Sequence, residues 1–272
     1  MLIRAEAEPF QVGYTPITTL DGAHREMMTD FGILRVAEGN PYRSGASRER
    51  AFLLLGGDVR LEWTANDANG AIEISRRSLL DEAPTVLHVP ATAQVTVHAT
   101  GASAELAVQA VMNPKQFPPR LWRPGEYRDE RFGAGTMQDT STRIVRTFFD
   151  AATAPESEMV LGEVVNFPGK WSSYPPHNHA QPEIYHFRFF PDQGFGFSEQ
   201  GEEVFKVRSR DTVTIPPHVV HPQTAAPGYA MYYIWMIPHL PDDRFGPDSR
   251  IFAPEHEWVM DPAAPIWTAA RG

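Results

Sequence analysis

The sequence predicts an all-β protein, a sandwich or barrel in each of two halves. Three observations carry this. Short apolar runs recur along the 272 residues, separated by turn residues, and they rarely reach helix length. The 25 prolines and 20 glycines fall between those runs and break any long helical period. The same texture then appears twice, on either side of a segment, 114–128, that holds four prolines in fifteen positions and serves as a connector.

Taken in order, residues 1–30 carry few periodic signals and read as short strands or loops, with ITTLDGAHREM as a turn into a short helix. From about Phe31 a strand pattern begins: GILRVAE, AFLLLGGDVRLEW and AIEISRR, with turns at Gly39-Asn40 and Asn69-Gly70. TVLHVPATAQVTVHAT continues it, broken at Pro90-Ala91. Periodicity alone leaves 104–112 open between strand and helix; its β surroundings favour a strand. After the connector, TRIVRTFFD and MVLGEVVNFPG lead into WSSYPPHNHAQPE, and IYHFRFF, GFGFSEQ, EEVFKVRS, DTVTIPP and YAMYYIWMI follow. From Asp242 the chain is Pro-rich and irregular, and Trp258 and Trp267 suggest that it packs on the body.

Composition narrows the function. Twenty-four Lys and Arg stand against 34 Asp and Glu, a net charge of −10, which argues against nonspecific binding to nucleic acid or anionic membranes. A local cluster of arginines can still receive a small anion. With no cysteine there is neither a disulfide nor thiol catalysis. MLIRAEAEPF has no apolar stretch of signal length and no window approaches a membrane span, so a cytoplasmic location is the default expectation. No Gly-rich dinucleotide fingerprint follows a strand and opens a helix.

Chemistry concentrates at Trp171–Glu183. His177 and His179 are two apart, so on an extended strand they share a face, roughly 7 Å apart, and Pro175-Pro176 before them disfavours a helix. An isolated His-x-His is more often a pair of solvated histidines. Here Glu183 follows at a short interval, and His221 comes later, bracketed by prolines. Three imidazoles and a carboxylate make an N3O set suited to a divalent transition metal, Zn, Mn, Fe, Co or Ni, over Ca or Mg. In the first half, His88 and His98 lie ten apart with no following carboxylate and read as capped or solvated strand residues.

His177-x-His179-x3-Glu183, then Gly194, then the run Pro217 to His221 (PHVVH), resembles the two-part cupin motif. TRIVR, GEVVNFPGKWSSYPPHNH, EIYHFRFF, QGFGF and APGYAMYY resemble the 5-deoxy-glucuronate isomerases of inositol catabolism. RERAFLLLGGDVRLEW and SLLDEAPTVLHVPATAQVTV resemble that family's amino-terminal barrel. The resemblance implies a bicupin, two cupin-type, jelly-roll-like β-barrels in one chain: 1–120 without a metal motif and 121–272 with it. It implies His177, His179, Glu183 and His221 as metal ligands, a small sugar-acid substrate, and homo-oligomeric assembly. The implied reaction is aldose–ketose isomerisation of 5-deoxy-D-glucuronate to 2-deoxy-5-keto-D-gluconate. Related bicupins act on 5-keto-4-deoxyuronate; the same ligand set also suits a cupin dioxygenase or a silent sugar-binding regulator. After its Tyr-Tyr pair the family tends to show Leu-Asn, where this chain has Ile234-Trp235.

Four further residues are candidates for the chemistry. Tyr185 shares the inward parity of Glu183, either as an acid–base group or as a barrel-core aromatic. Gln193, before GFGF, is placed to bond a sugar hydroxyl or simply to turn the chain. Arg188 could clamp a carboxylate, although strict alternation puts it opposite Glu183, where a surface arginine is expected. Of Tyr232 and Tyr233, which face opposite ways, Tyr233 is the expected barrel-lining partner. Lys170 and Tyr174 are candidates for the pocket rim.

Overall fold

The computed structural model describes residues 1–5, 8–66 and 68–269. Its regular structure is antiparallel strand, with short 3-10 turns. In the first half, Glu49–Ala65 is the organising strand. Its first part pairs with Val86–Val89 and Ser103–Val111, and its second part with Ala68–Arg76 and Gln94–Ala99. A bulge between Leu54 and Gly56 separates the two parts, which is how one strand turns a barrel corner. The ambiguous run thus forms a strand, Ser103–Val111.

In the second half a seven-stranded sheet runs through Thr212–Ile215, Glu183–Phe190, Ala230–Pro238, Met159–Asn166, Arg143–Phe149 and Arg128–Phe132, with Leu2–Ile3 at its far edge. A four-stranded sheet of Trp171–Ser172, Gln223–Ala225, Phe195–Gln200 and Glu203–Arg208 packs on it, sharing a core with Tyr185, Phe187, Val213 and Tyr233. The connector changes allegiance between Arg120–Trp122, which still pairs with Val86–Val89, and Arg128–Phe132, which pairs with Arg143–Phe149. Leu2–Ile3 crosses the other way, pairing with Thr212 and Val213 of the second half. Sequence order alone would have kept it in the first.

Three apolar clusters explain the long hydrophobic runs. Phe52 and Leu54 point into the first barrel, whereas Ala51 and Leu53 point into a cluster shared with Phe148, Phe149, Ile184 and Tyr232 of the second. Likewise Tyr233 and Trp235 face the second barrel's interior, and Tyr232, Ile234 and Met236 face the joint. Strands buried on both faces need apolar residues at every position, so AFLLL and YYIWMI do not alternate.

Trp258 and Trp267, expected to pin the carboxy-terminal segment, are 50% and 82% exposed. Phe245 and Phe252 do that packing. Their segment is anchored by backbone pairing of Ile251–Phe252 with His177–Asn178, and by the Ala253 N–H donating to the Pro176 carbonyl at 2.9 Å. Once the backbone is fixed there, the tryptophans lie beyond the anchored stretch.

Candidate metal centre and its cavity

Glu183 opens an inward-facing series with Tyr185, Phe187 and Phe189 on Glu183–Phe190, and all four are buried. His179 follows the short bridge His177–Asn178, and His221 lies between Thr212–Ile215 and Gln223–Ala225. Gly194 lies in the turn that carries the chain from Glu183–Phe190 to Phe195–Gln200, its N–H donating to the Pro191 carbonyl. A Cβ there would lie 2.8 Å from Phe189 and from Tyr229, so a side chain does not fit. The His218 N–H donates to the His179 carbonyl at 2.8 Å, tying the two histidine segments together. Gln181 donates through Nε2 to the Asp243 carbonyl at 2.7 Å, fixing the histidine segment to the carboxy-terminal one.

His179, Glu183 and His221 are all buried, and one ligand atom from each lies within 4.8 Å of the others. Both histidine Nε2 atoms stand 3.2 Å from the same Glu183 Oε2, and the Tyr185 hydroxyl donates to that oxygen at 3.1 Å. The His221 Nδ1 lies 2.7 Å from the Val219 carbonyl. A carbonyl only accepts, so Nδ1 donates to it and Nε2 is left as the ligand atom turned toward the carboxylate. Consistent with that, Nε2 has no hydrogen-bond partner among the described residues. Two imidazole nitrogens and a carboxylate converging in a buried site make a donor set that fits a divalent transition metal. Burial alone would raise the Glu183 carboxyl, but the His179 and His221 imidazoles outweigh it and hold it down to about 2.

His177 stands beside this trio, outside its 4.8 Å cluster. Its ring is 5.1 Å from that of His221 and 5.7 Å from that of Phe252. Its Nδ1 donates to the Pro175 carbonyl at 3.0 Å, which leaves Nε2 free as a ligand atom. Burial, with His221 adding to it, lowers its pKa to about 3, so the ring is neutral at physiological pH, as a ligand must be. Among the described residues no other group of three or more His, Cys, Asp or Glu side chains converges in this way. In the first half, His88 is buried and bonded through Nε2 to Glu49 at 2.7 Å, and His98 reaches Glu62 at 3.5 Å.

His177, His179 and Glu183 border a cavity of about 100 Å³, next to an outer pocket of about 340 Å³ that shares Phe132 and Arg143 with it. Tyr185 and Tyr233 line the inner cavity, their rings 4.8 Å apart. The Tyr233 and Ser172 hydroxyls are 2.6 Å apart, and those of Tyr185 and Ser173 are 3.2 Å apart. Burial, reinforced by the Glu183 charge, pushes both tyrosines above the ordinary phenol value, so both keep their protons near neutrality.

The other two candidates lie elsewhere. Arg188 faces away from Glu183, as alternation predicts, yet it is buried and not at the surface. It donates to the His186 Nε2 at 2.6 Å and ion-pairs with Glu105 of the first half, because its face of the strand is the joint between halves. Gln193 is exposed in the turn, two residues before Phe195–Gln200 begins, and does not line the cavity. Tyr174 lines the outer pocket; Lys170 lines neither. Sequence reasoning missed Ser172 and Ser173, although both lie in the run it singled out. It also missed Arg143, Phe245 and Arg250, which nothing in their local sequence marks.

Trp235 has a physical counterpart. It lines the cavity and pairs across strands with Gly162, where a Cβ would lie 2.4 Å from the indole and 2.4 Å from the Arg146 carbonyl. The glycine therefore lets the indole lie flat on the barrel wall. Gly162→Ala is expected to destabilise by ~1–3 kcal/mol, the usual cost of overpacking, and to push the indole into the cavity. Thermal melting and substrate KM check this; an unchanged melt with unchanged KM would remove the role.

The family model described as the KduI/IolB family matches residues 2–259. A curated 5-deoxy-glucuronate isomerase of Geobacillus thermodenitrificans (strain NG80-2) is 31% identical over 194 residues, covering 65% of this chain and 66% of that protein, just under two thirds of its length. A protein of the same name from Halalkalibacterium halodurans is 26% identical over 285 residues, covering 96% and 99%. Among solved structures, an IolB-like protein from Salmonella typhimurium LT2 superposes with a TM-score of 0.81 at 22% identity, over 95% of this chain and 98% of that one. An oxalate decarboxylase from Lactobacillus farciminis gives 0.65 at 11% identity, over 89% and 85%. At these identities the structural likenesses establish the fold, an all-β cupin architecture.

Proposed function

The chain belongs to the KduI/IolB family, and from that premise we propose that it is a metal-dependent aldose–ketose isomerase of a sugar acid. The substrate we propose is 5-deoxy-D-glucuronate, which the names of the curated relatives give; the family resemblance implies 2-deoxy-5-keto-D-gluconate as the product, in inositol catabolism. One observation carries the reading: buried His179, Glu183 and His221 converge beside a cavity walled by two protonated tyrosines.

The reaction removes a proton from the carbon beside a carbonyl and returns one to its neighbour, through an ene-diolate. In the proposed assignment His179, Glu183 and His221 hold a Zn, Mn, Fe, Co or Ni ion, and His177 is the fourth ligand. When bound, such an ion supplies Lewis-acid polarisation of the substrate carbonyl. The chain's own contribution is proton placement. The Tyr233 hydroxyl, protonated, can donate to a substrate oxygen as negative charge builds there, while the Tyr185 hydroxyl donates to Glu183 Oε2 and holds that carboxylate in place. Ser173 and Ser172 hydrogen-bond the Tyr185 and Tyr233 hydroxyls and hold them in orientation. The apolar walls of Val164, Ile237 and Phe245 keep water from competing. A cytoplasmic location and homo-oligomeric assembly complete the proposed reading.

The test is metal analysis of the purified protein followed by incubation with 5-deoxy-D-glucuronate under product NMR, in air and anaerobically. The expected result is the ketose in both atmospheres, without added nicotinamide. A strict requirement for O2 would sink the isomerase reading.

A further inference from the structure

A chain with net charge −10 carries two arginines at the cavity wall, Arg143 and Arg250. Most buried arginines here are neutralised: Arg76 and Arg146 by Glu163, Arg188 by Glu105. Among the described residues Arg143 and Arg250 form no ion pair with any carboxylate. Arg143 is half-buried and opens the strand Arg143–Phe149. Its Nη1 donates to the Ser141 carbonyl at 2.8 Å, and its guanidinium carbon lies 5.8 Å from the centre of the Phe132 ring. These contacts aim the group and leave most of its five donors free. Burial draws its pKa below the ordinary arginine value, and the positive charge of Arg250 adds to that. Two positive groups on one cavity wall favour an anionic ligand there.

The two arginines reach the cavity wall from two different segments of the chain. Arg143 also lines the outer pocket, so it stands at the junction of the two spaces. Arg250 is exposed and immediately precedes Ile251–Phe252, the strand that pairs with His177–Asn178. A linear sugar acid with its carbonyl end near Glu183 must direct its other end outward, toward these two groups.

We propose that Arg143 and Arg250 form a clamp for the carboxylate of the substrate and make the site select sugar acids over neutral sugars. This rests on the isomerase reading for the identity of the substrate, though not for the clamp itself. Arginine suits the task because its planar fork meets both carboxylate oxygens.

The test separates binding from turnover. Metal-loaded wild type, Arg143→Gln, Arg143→Lys and Arg250→Gln are titrated calorimetrically with D-gluconate, a linear six-carbon acid, and with sorbitol, its neutral counterpart. Wild type should bind gluconate more tightly than sorbitol. Arg143→Gln should lose on the order of 10- to 100-fold in gluconate affinity, the size of a charged hydrogen-bond pair, with sorbitol affinity and metal content unchanged. Arg143→Lys should recover part of the loss, and Arg250→Gln should show a smaller loss because that group is exposed. Equal binding of gluconate and sorbitol by wild type, or an acid preference that survives Arg143→Gln, overturns the clamp. Absence of 5-deoxy-D-glucuronate turnover with the acid preference intact would instead count against the isomerase reading and leave the clamp standing.

Discussion

Alanine at Glu183 is expected to strip the protein of its metal and abolish isomerisation. The carboxylate is the one anionic member of the trio and the atom both Nε2 groups face at 3.2 Å. Without it a divalent ion would meet only neutral imidazoles. The loss of activity should exceed the ~10–100-fold that follows removal of a residue merely supporting a ligand. His179→Ala and His221→Ala should behave alike, since each removes one of three clustered donors. His177→Ala should weaken the metal less, because the other three donors remain within 4.8 Å of one another. The barrel should survive in every case. Its core of Phe187, Phe189, Val213 and Met231 does not depend on the ligands, and deleting Glu183 also relieves a buried charge. Elemental analysis, turnover and near-UV circular dichroism together make the measurement. Full metal occupancy with normal turnover in the Glu183 and His179 variants would remove the assignment.

Much of this site was legible in the sequence because strand parity is a local rule. Two-residue spacing put Tyr185 on the face of Glu183 and Arg188 on the other, and it separated Tyr232 from Tyr233. Parity does not say what the other face meets. Arg188 was expected at the surface, and its partner Glu105 lies 83 residues away in the first half. The arginines at the cavity were illegible for the same reason. Arg143 and Arg250 become neighbours only when the carboxy-terminal segment is laid across His177–Asn178, a pairing of two-residue strands that no periodicity announces. Composition found the irregular segment and named its tryptophans, but hydrophobic size does not decide which aromatic is buried. The Ala253 N–H bond to the Pro176 carbonyl and the bond from the Gln181 side chain to the Asp243 carbonyl place Phe245 and Phe252 inward instead. Gln193 failed through a small error in where a strand begins, which is where sequence reading is weakest.

The largest stability effect is expected at Glu163→Ala, in the joint between the halves. Glu163 is fully buried on Met159–Asn166. It accepts from Arg76 at 3.0 and 2.8 Å, from Arg146 at 2.8 Å and from the Tyr232 hydroxyl at 2.7 Å. Arg76 comes from the first half and its side chain is 1% exposed. Burial by itself would lower the Arg76 pKa; the Glu163 carboxylate reverses that and holds it above the ordinary arginine value. Without Glu163, Arg76 keeps only carbonyl partners, at Leu54, Leu79 and Glu82, and its charge has no counter-ion. Arg146 is better protected, because Asp129 still reaches its Nε at 3.0 Å. Breaking a buried pair by deleting one partner costs ~3–5 kcal/mol, which for a chain of this size lowers the melting temperature by on the order of 10 °C. Arg76→Met with Glu163→Met should melt well above Glu163→Ala, since removing both charges leaves none uncompensated. The ordering of the three proteins in one melting series is the decisive measurement. If the double variant melts no higher than Glu163→Ala, shape and not charge is what this carboxylate supplies to the joint.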